Sequence, residues 1–157
     1  TGVGYPQFSC INDTKNNIPE GCYIMSDGGI QQMGDFSKAY GIGADFVMSG
    51  GMFAGHDECS GCIVEENGIK YKAFYGMSSS NAMKTYYGKV ANYRSSEGKC
   101  VKIKLRGPVE DTLQDMLGGI RSTMTYVGAK ELKELYGKCD FIRVNNTVNR
   151  IYNNNEI

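Results

Sequence analysis

The chain has 157 residues, 41% hydrophobic and 22% charged, which suits one packed domain and excludes a globally disordered chain. Its 17 basic and 17 acidic side chains balance, which excludes the one-sided field that attracts nucleic acid or an anionic membrane. No segment approaches the roughly 20 apolar residues of a membrane span. The first residues match neither a signal nor a transit peptide, so we expect a cytoplasmic protein whose six cysteines are reduced.

Two short apolar segments predict two strands joined by a helix. The segments Cys22-Tyr-Ile-Met-Ser-Asp-Gly-Gly29 and Ala44-Asp-Phe-Val-Met48 lack polar alternation, which is typical of parallel strands buried on both faces. Between them, a helical pattern begins at Asp35 and ends at Gly41. Its inward face is predicted to consist of Phe36, Ala39 and Tyr40. This order predicts a βαβ unit and therefore an α/β fold.

Residues 56–106 are polar and interrupt this pattern. A hairpin is predicted around Glu66-Asn67-Gly68, and so long an insertion in a compact domain is usually a lid or a binding loop. His56, Cys59 and Cys62 have the spacing of zinc ligands, but a structural zinc site needs four ligands. Ordinary loop thiols are therefore favoured over a metal site or a redox pair, and no metal is predicted.

The strongest helix is predicted directly after Gly107-Pro108. Its apolar positions recur with the period of a helix: Val109, Thr112, Leu113, Met116, Leu117 and Ile120. A second helix is predicted over residues 129–136, with three side chains inward: Leu132, Leu135 and Tyr136. The Asn-rich residues 145–157 predict a tail.

Both predicted strands end in a glycine pair, Gly28-Gly29 and Gly50-Gly51. Glycine lets a ligand approach the main chain because it has no Cβ. In (β/α)₈ barrels the loops after the last two strands commonly bind phosphate. Asp27 stands where a carboxylate can accept hydrogen bonds from ribose hydroxyls. Tight turns without a ligand are the alternative, and the spacing alone leaves both open.

Seven motifs in order along nearly the whole chain resemble those of the GMP reductases, close relatives of IMP dehydrogenase. Two of them favour the reductase, and the Arg-Tyr pair expected in the longer dehydrogenase flap is absent. The motifs are Thr1-Gly-Val-Gly-Tyr-Pro-Gln7, Ser26-Asp-Gly-Gly29, Gly43-Ala-Asp-Phe-Val-Met48, Gly50-Gly-Met-Phe-Ala-Gly-His56, Phe74-Tyr-Gly-Met-Ser-Ser79, Tyr93-Arg-Ser-Ser-Glu-Gly-Lys99 and Gly118-Gly-Ile-Arg-Ser-Thr123. The resemblance implies that residues 1–157 are the C-terminal portion of a (β/α)₈ TIM barrel.

The resemblance also implies an activity, the NADPH-dependent reductive deamination of GMP to IMP and ammonia in purine salvage. Glu97 is the implied catalytic residue, because the leaving amine must be protonated by a positioned acid. The implied substrate-binding residues are Asp27, Gly28, Gly29, Gly50, Gly51, Gly76, Met77, Ser78, Arg94, Ser95, Ser96, Glu97 and Gly98. The implied NADPH contacts are Met77, Tyr93, Ser122, Thr123, Met124 and Thr125. In the family a neighbouring subunit completes the cofactor site, which implies a homo-oligomer, typically a tetramer.

The sequence departs from the family pattern near its beginning. The family's nucleophilic cysteine lies in a Gly-Ser-x-Cys-Thr-Thr loop immediately before the segment that here begins at Thr1, and none of the six cysteines has that context. The family's potassium site lies mostly in the same loop. Residues 9–19, which include Cys10, replace an expected amphipathic helix and predict a weak or irregular one. We therefore expect a fragment, or a subunit that needs a complementing N-terminal half, inactive by itself.

Two alternatives to the reductase remain at this point. The chain can belong to a non-catalytic nucleotide-binding module derived from the family, or to an IMP dehydrogenase.

Overall fold

A computed structural model describes residues 4–76, 79–88 and 100–145 of the chain. The helices are α1 Gln7–Lys15, α2 Met33–Gly41, α3 Ser80–Tyr87 and α4 Val109–Val127. The strands are β1 Met25–Asp27, β2 Phe46–Met48, β3 Ile63–Glu66, β4 Ile69–Tyr75 and β5 Cys100–Lys104, and a 3₁₀ helix spans Leu132–Leu135. Within the described residues, no helix is long and apolar enough to cross a bilayer.

Strands β1 and β2 form a parallel pair, with Ser26 opposite Val47 and α2 as the connection between them. Helices α1 and α2 cover one face of this pair. The core between the two layers contains four buried apolar side chains: Ile11, Ile24, Ala39 and Ala44. The predicted βαβ unit and α/β fold are therefore confirmed.

The prediction that these strands are covered on both faces is wrong for this chain. Met25, Phe46 and Met48 are 52%, 53% and 47% exposed and all project from the face opposite the helices. No element among the described residues packs on that face. The lack of polar alternation therefore indicates that this strand face is suited to burial. The described residues leave it exposed.

Helix α2 begins at Met33, two residues earlier than predicted, because Asp35 caps the helix from within its first turn. Asp35 and the N-cap residue Gln32 form a capping box. Gly41 is the last helical residue, and the chain reverses at Gly43, whose φ is 112°. Helix α1 is regular, contrary to the expectation of an irregular segment, and its buried Ile11 anchors it on the core.

Strands β3, β4 and β5 form an antiparallel sheet in that order within the predicted insertion. The predicted hairpin is confirmed: Glu66 pairs with Ile69 across a turn of Asn67 and Gly68. Both turn residues have positive φ, 52° and 77°, as a two-residue turn of this kind requires. The boundaries 56–106 and the role of this segment as a lid stay predictions.

The long helix after Pro108 is confirmed and continues to Val127, where Gly128 ends it with a φ of 67°. The following helix is a single 3₁₀ turn. Leu135 is fully buried as predicted, but Leu132 and Tyr136 are 37% and 47% exposed, because four residues of 3₁₀ helix present only one inward position. The predicted tail lies outside the described residues except for Asn145.

Candidate functional site at the carboxyl ends of two parallel strands

The two glycine pairs lie next to each other because β1 and β2 are neighbouring parallel strands. The N–H of Gly28 points at the carbonyl oxygen of Met48 across a distance of 3.5 Å, which joins the two strand ends. Gly28 and Gly29 have φ values of 88° and 78°, a conformation that favours glycine. The main chain itself therefore requires glycine in the first pair.

The second pair is not required by the main chain. Neither Gly50 nor Gly51 has a positive φ. A Cβ built on Gly51 meets nothing within 4 Å, and one on Gly50 meets the Phe74 ring at an ordinary contact distance of 3.6 Å. Alanine therefore fits at position 51 in the described protein. A ligand that approaches the main chain closely is a physical reason for glycine there.

The N–H groups of Gly29, Gly50 and Gly51 donate to no acceptor in the described part of the chain. The N-terminal ends of α2 and α4, by contrast, are occupied by carboxylates. Asp35 accepts from the N–H groups of Gln31 and Gln32, each at 3.1 Å, and Glu58 accepts from Val109 at 2.9 Å. A carboxylate at a helix N-terminus occupies the position that another anion would take. The glycine turns are therefore the remaining candidates for binding an anion here.

The capping hydrogen bonds of Asp35 also affect the pKa of its carboxyl group. Burial raises the pKa of this carboxyl, but hydrogen bonds from Gln31, Lys38 and Gln32 together lower it below its ordinary value. Lys38 lies 3.1 Å from the carboxylate. Asp35 therefore stays ionised at the start of α2.

Asp27 ends β1 with an exposed side chain. No hydrogen bond or ion pair reaches its carboxylate from the described residues. Gln7, a residue that sequence reasoning did not single out, fixes the main chain here: its side-chain amide donates to the Asp27 carbonyl at 3.2 Å and to Ser26 Oγ at 3.3 Å. The carboxylate is thus held at the strand end and left available to a hydroxyl-bearing ligand.

Two more polar groups stand beside the second glycine pair. Ser49 directly precedes it, and its buried hydroxyl has no hydrogen-bond partner within the described ranges. Arg106 donates to the carbonyl oxygen of Met52 at 3.1 Å, which brings a positive charge next to Gly51. Neither residue was predicted, because a single serine or arginine carries no sequence signal until the fold places it.

Most of the other predicted substrate residues lie outside the described residues. Gly76 directly follows β4, and a Cβ there meets nothing within 4 Å. Those outside the described residues are Met77, Ser78, Arg94, Ser95, Ser96, Glu97 and Gly98, and the predicted NADPH contact Tyr93 lies outside them as well. The assignment of Glu97 as the proton donor therefore stays a prediction.

The second half of α4 contains the remaining predicted NADPH contacts, which are Ser122, Thr123, Met124 and Thr125. Ser122 follows Val109 by 13 residues, which puts it about 20 Å along the helix from its start. Thr123 Oγ1 bonds Ser37 of α2 at 2.7 Å and the Gly119 carbonyl at 3.1 Å. This group therefore lies where α4 packs against α2, and Thr123 is engaged in that packing.

His56 is a structural residue. It is 2% exposed, and both ring nitrogens are engaged, Nδ1 with the Gly107 carbonyl and Nε2 with Thr112 Oγ1, each at 3.0 Å. Since a carbonyl only accepts, Nδ1 carries the proton and Nε2 accepts from the Thr112 hydroxyl. Among the described residues no group of three or more His, Cys, Asp or Glu side chains could hold a metal ion.

The pocket beside the first glycine pair, between α1 and α2, has a volume of about 120 Å³. Sites for small organic ligands are commonly about 300–1,000 Å³. Larger cavities of about 360 and 370 Å³ lie between α2 and α4 and near the start of β2, and no glycine of either pair lines them. A nucleotide at the strand ends would therefore lie on an open edge that the described residues do not enclose.

A parallel strand pair with a covering helix layer, and glycine turns at its carboxyl ends, is the kind of α/β unit from which (β/α)₈ barrels are built. The model of the IMP dehydrogenase / GMP reductase domain matches residues 1–150. The chain therefore belongs to the IMP dehydrogenase/GMP reductase family.

Curated relatives and a solved structure agree with this assignment. GMP reductases from Escherichia coli O1:K1 / APEC, E. coli K12 / DH10B and Shigella boydii serotype 18 are each 58% identical, over 98% of this chain and 45% of the relative. A solved GMP reductase from Trypanosoma brucei, a cysteine-to-alanine variant in complex with guanosine 5'-monophosphate, is 35% identical with a TM-score of 0.82. The structural match covers 91% of this chain and 30% of the T. brucei chain.

The chain thus spans less than half the length of the curated relatives it matches. The names of these relatives support the reductase over the dehydrogenase and over a non-catalytic module. The family is one of oxidoreductases that act on purine nucleotides.

Proposed function

We propose that this chain supplies the phosphate- and ribose-binding edge of a GMP reductase. The complete protein would catalyse the NADPH-dependent conversion of GMP to IMP and ammonia, in cytoplasmic purine salvage. The observation that carries the proposal is a set of N–H groups at the ends of two neighbouring strands, from Gly29, Gly50 and Gly51, that have no acceptor among the described residues. The relatives named GMP reductase, and the T. brucei enzyme in complex with GMP, support the choice of ligand.

The phosphate would be held by main-chain N–H groups, because the N-terminal ends of α2 and α4 already hold carboxylates. Hydrogen bonds to an ionised oxygen are stronger than those between neutral groups. Arg106, bound to the carbonyl of Met52, adds positive charge one residue after Gly51. These groups together would give a dianion a site that requires no helix N-terminus.

The ribose would be held by Asp27. A carboxylate accepts hydrogen bonds from two vicinal hydroxyls, and this one has no competing partner in the described residues. Gln7 would keep the strand end in place through its bond to the Asp27 carbonyl. The purine would then extend toward Gly76 and the segment formed by residues 77, 78 and 94–98, with Glu97 protonating the leaving amine.

The nucleophilic cysteine would come from another part of the complete protein, as would the potassium site. NADPH would supply the hydride. Ser122 and Thr125 are exposed on α4 and open to a ligand or a partner. By the family resemblance, part of the cofactor site comes from a neighbouring subunit, so the proposed assembly is a homo-oligomer, with a tetramer as the family expectation.

The test is calorimetric titration of the complete protein with GMP, alongside consumption of NADPH when GMP is added. The Asp27→Asn variant is expected to weaken GMP binding about tenfold or more, because one charged hydrogen-bonding group is lost. It should weaken binding of the 2',3'-dideoxy analogue much less, since that ligand lacks both hydroxyls. The matched control is Asp13→Asn on α1. Absence of GMP binding by the wild type, or equal loss for both ligands, would refute the proposal.

A further inference from the structure

A lysine ammonium lies inside the protein and is held by main-chain oxygens instead of a carboxylate. Lys72 belongs to β4 and is 5% exposed. Its Nζ donates to the carbonyl oxygens of His56, Asp57 and Cys59, at 2.8, 2.9 and 2.6 Å. No carboxylate in the described residues forms an ion pair with it. A buried cation is costly unless its donors are satisfied, so these three bonds are what make the burial of Lys72 tolerable.

The turn that supplies the three oxygens, residues 56–59, is itself fixed to two other elements. His56 binds the Gly107 carbonyl and Thr112 at the beginning of α4. Just before the turn, Gly55 approaches β5 so closely that an added Cβ would lie 2.8 Å from Ile103 Cγ2. Lys72 provides the corresponding connection to β4. The turn therefore joins the sheet of β3, β4 and β5 to the beginning of α4.

This connection bears on the candidate site through β4. Lys72 and Phe74 are two residues apart in the strand and project from the same face. The Phe74 ring packs at Gly50, 3.6 Å from the position of an added Cβ. Strand β4 is thus attached at two points to the segment that follows β2, and it leads directly into Gly76.

We propose that Lys72 is a positioning residue whose ammonium serves as a built-in cation for the carbonyl turn formed by residues 56–59. It holds β4 against that turn and thereby sets the place of Gly76 relative to Gly50. The effect on nucleotide binding rests on the proposed GMP site, whereas the attachment of the sheet does not. The ammonium is essential here because an aliphatic side chain fills the same space but donates no hydrogen bond.

The test uses Lys72→Ala and Lys72→Met in the complete protein, with Lys104→Met as the matched control on an exposed position of the same sheet. Thermal unfolding and GMP titration are measured with and without propylammonium, which has the three carbons and the nitrogen that Lys72→Ala removes. Sodium chloride at equal ionic strength is the salt control. We expect both Lys72 variants to lower the unfolding temperature and to weaken GMP binding about tenfold, and Lys104→Met to change neither.

Propylammonium is expected to raise the unfolding temperature of Lys72→Ala and to restore much of its GMP affinity, and to do neither for Lys72→Met. If Lys72→Ala is unfolded without the amine, recovery of its circular dichroism on amine addition gives the same answer. Wild-type behaviour of Lys72→Met, or no response of Lys72→Ala to the amine, overturns the proposal. If the wild type does not bind GMP, the proposed function fails, while amine rescue of the unfolding temperature still decides the role of Lys72.

Discussion

Replacing Gly51 with alanine separates a glycine that the fold requires from one that a ligand requires. The added methyl group meets nothing within 4 Å, and the φ of this residue lies outside the left-handed region. The Gly51→Ala variant is therefore expected to fold normally. It should gain roughly 0.4–1 kcal/mol in the free energy of unfolding, because alanine has less freedom than glycine in the unfolded chain.

Nucleotide binding should change in the opposite direction. If a phosphate oxygen accepts from the Gly51 N–H, a methyl group beside that N–H displaces the phosphate. The loss of one hydrogen bond to a charged group is about 1.5–3 kcal/mol, which corresponds to roughly 10- to 150-fold in the dissociation constant. Guanosine, which lacks the phosphate, should bind to the variant and to the wild type almost equally.

The assay is calorimetric titration of the complete protein with GMP and guanosine, paired with urea unfolding. Gly118→Ala is the matched control, because it makes the same chemical change in α4 where an added Cβ also meets nothing within 4 Å. Gly28→Ala is a second comparison and should lose stability, since its φ is 88°. Unchanged GMP affinity of Gly51→Ala, or a parallel loss for guanosine, would refute the reasoning.

Three further predictions concern stability, each measured by urea unfolding. Leu135→Ala should lower the free energy of unfolding by about 2–5 kcal/mol because Leu135 is fully buried, and Leu132→Ala by much less; equal losses would contradict the assigned packing. Gly118→Ala should raise the free energy of unfolding by about 1 kcal/mol, since glycine has a low helix propensity in a helix interior. The lowered pKa of Asp35 stabilises the fold above the unfolded-state pKa, and this contribution disappears as pH falls through the folded-state value. Asp35→Asn should therefore lower the free energy of unfolding near neutral pH, and acidification should then lower it less than in the wild type. An unchanged pH profile would count against this role.

The sequence by itself determined most of the local secondary structure. The apolar segments ending in glycine pairs predicted the βαβ unit, since short apolar segments flanking a helical pattern have few other arrangements. Asn67-Gly68 predicted the hairpin because both residues accept positive φ. The periodic apolar positions after Pro108 predicted α4. The ordered motifs also indicated the family, which the domain match over residues 1–150 established.

Contacts between residues far apart in the chain were decided by the tertiary structure alone. Periodicity did not distinguish a strand face that can be buried from one that these residues leave exposed, as at Phe46. The spacing of His56, Cys59 and Cys62 resembles that of metal ligands. In the structure, however, both ring nitrogens of His56 are hydrogen-bonded to Gly107 and Thr112. Lys72 carried no sequence signal, because its three carbonyl partners are main-chain atoms, which every residue possesses. Main-chain groups become a site only when the fold makes them converge, and a sequence specifies that convergence only through the whole structure.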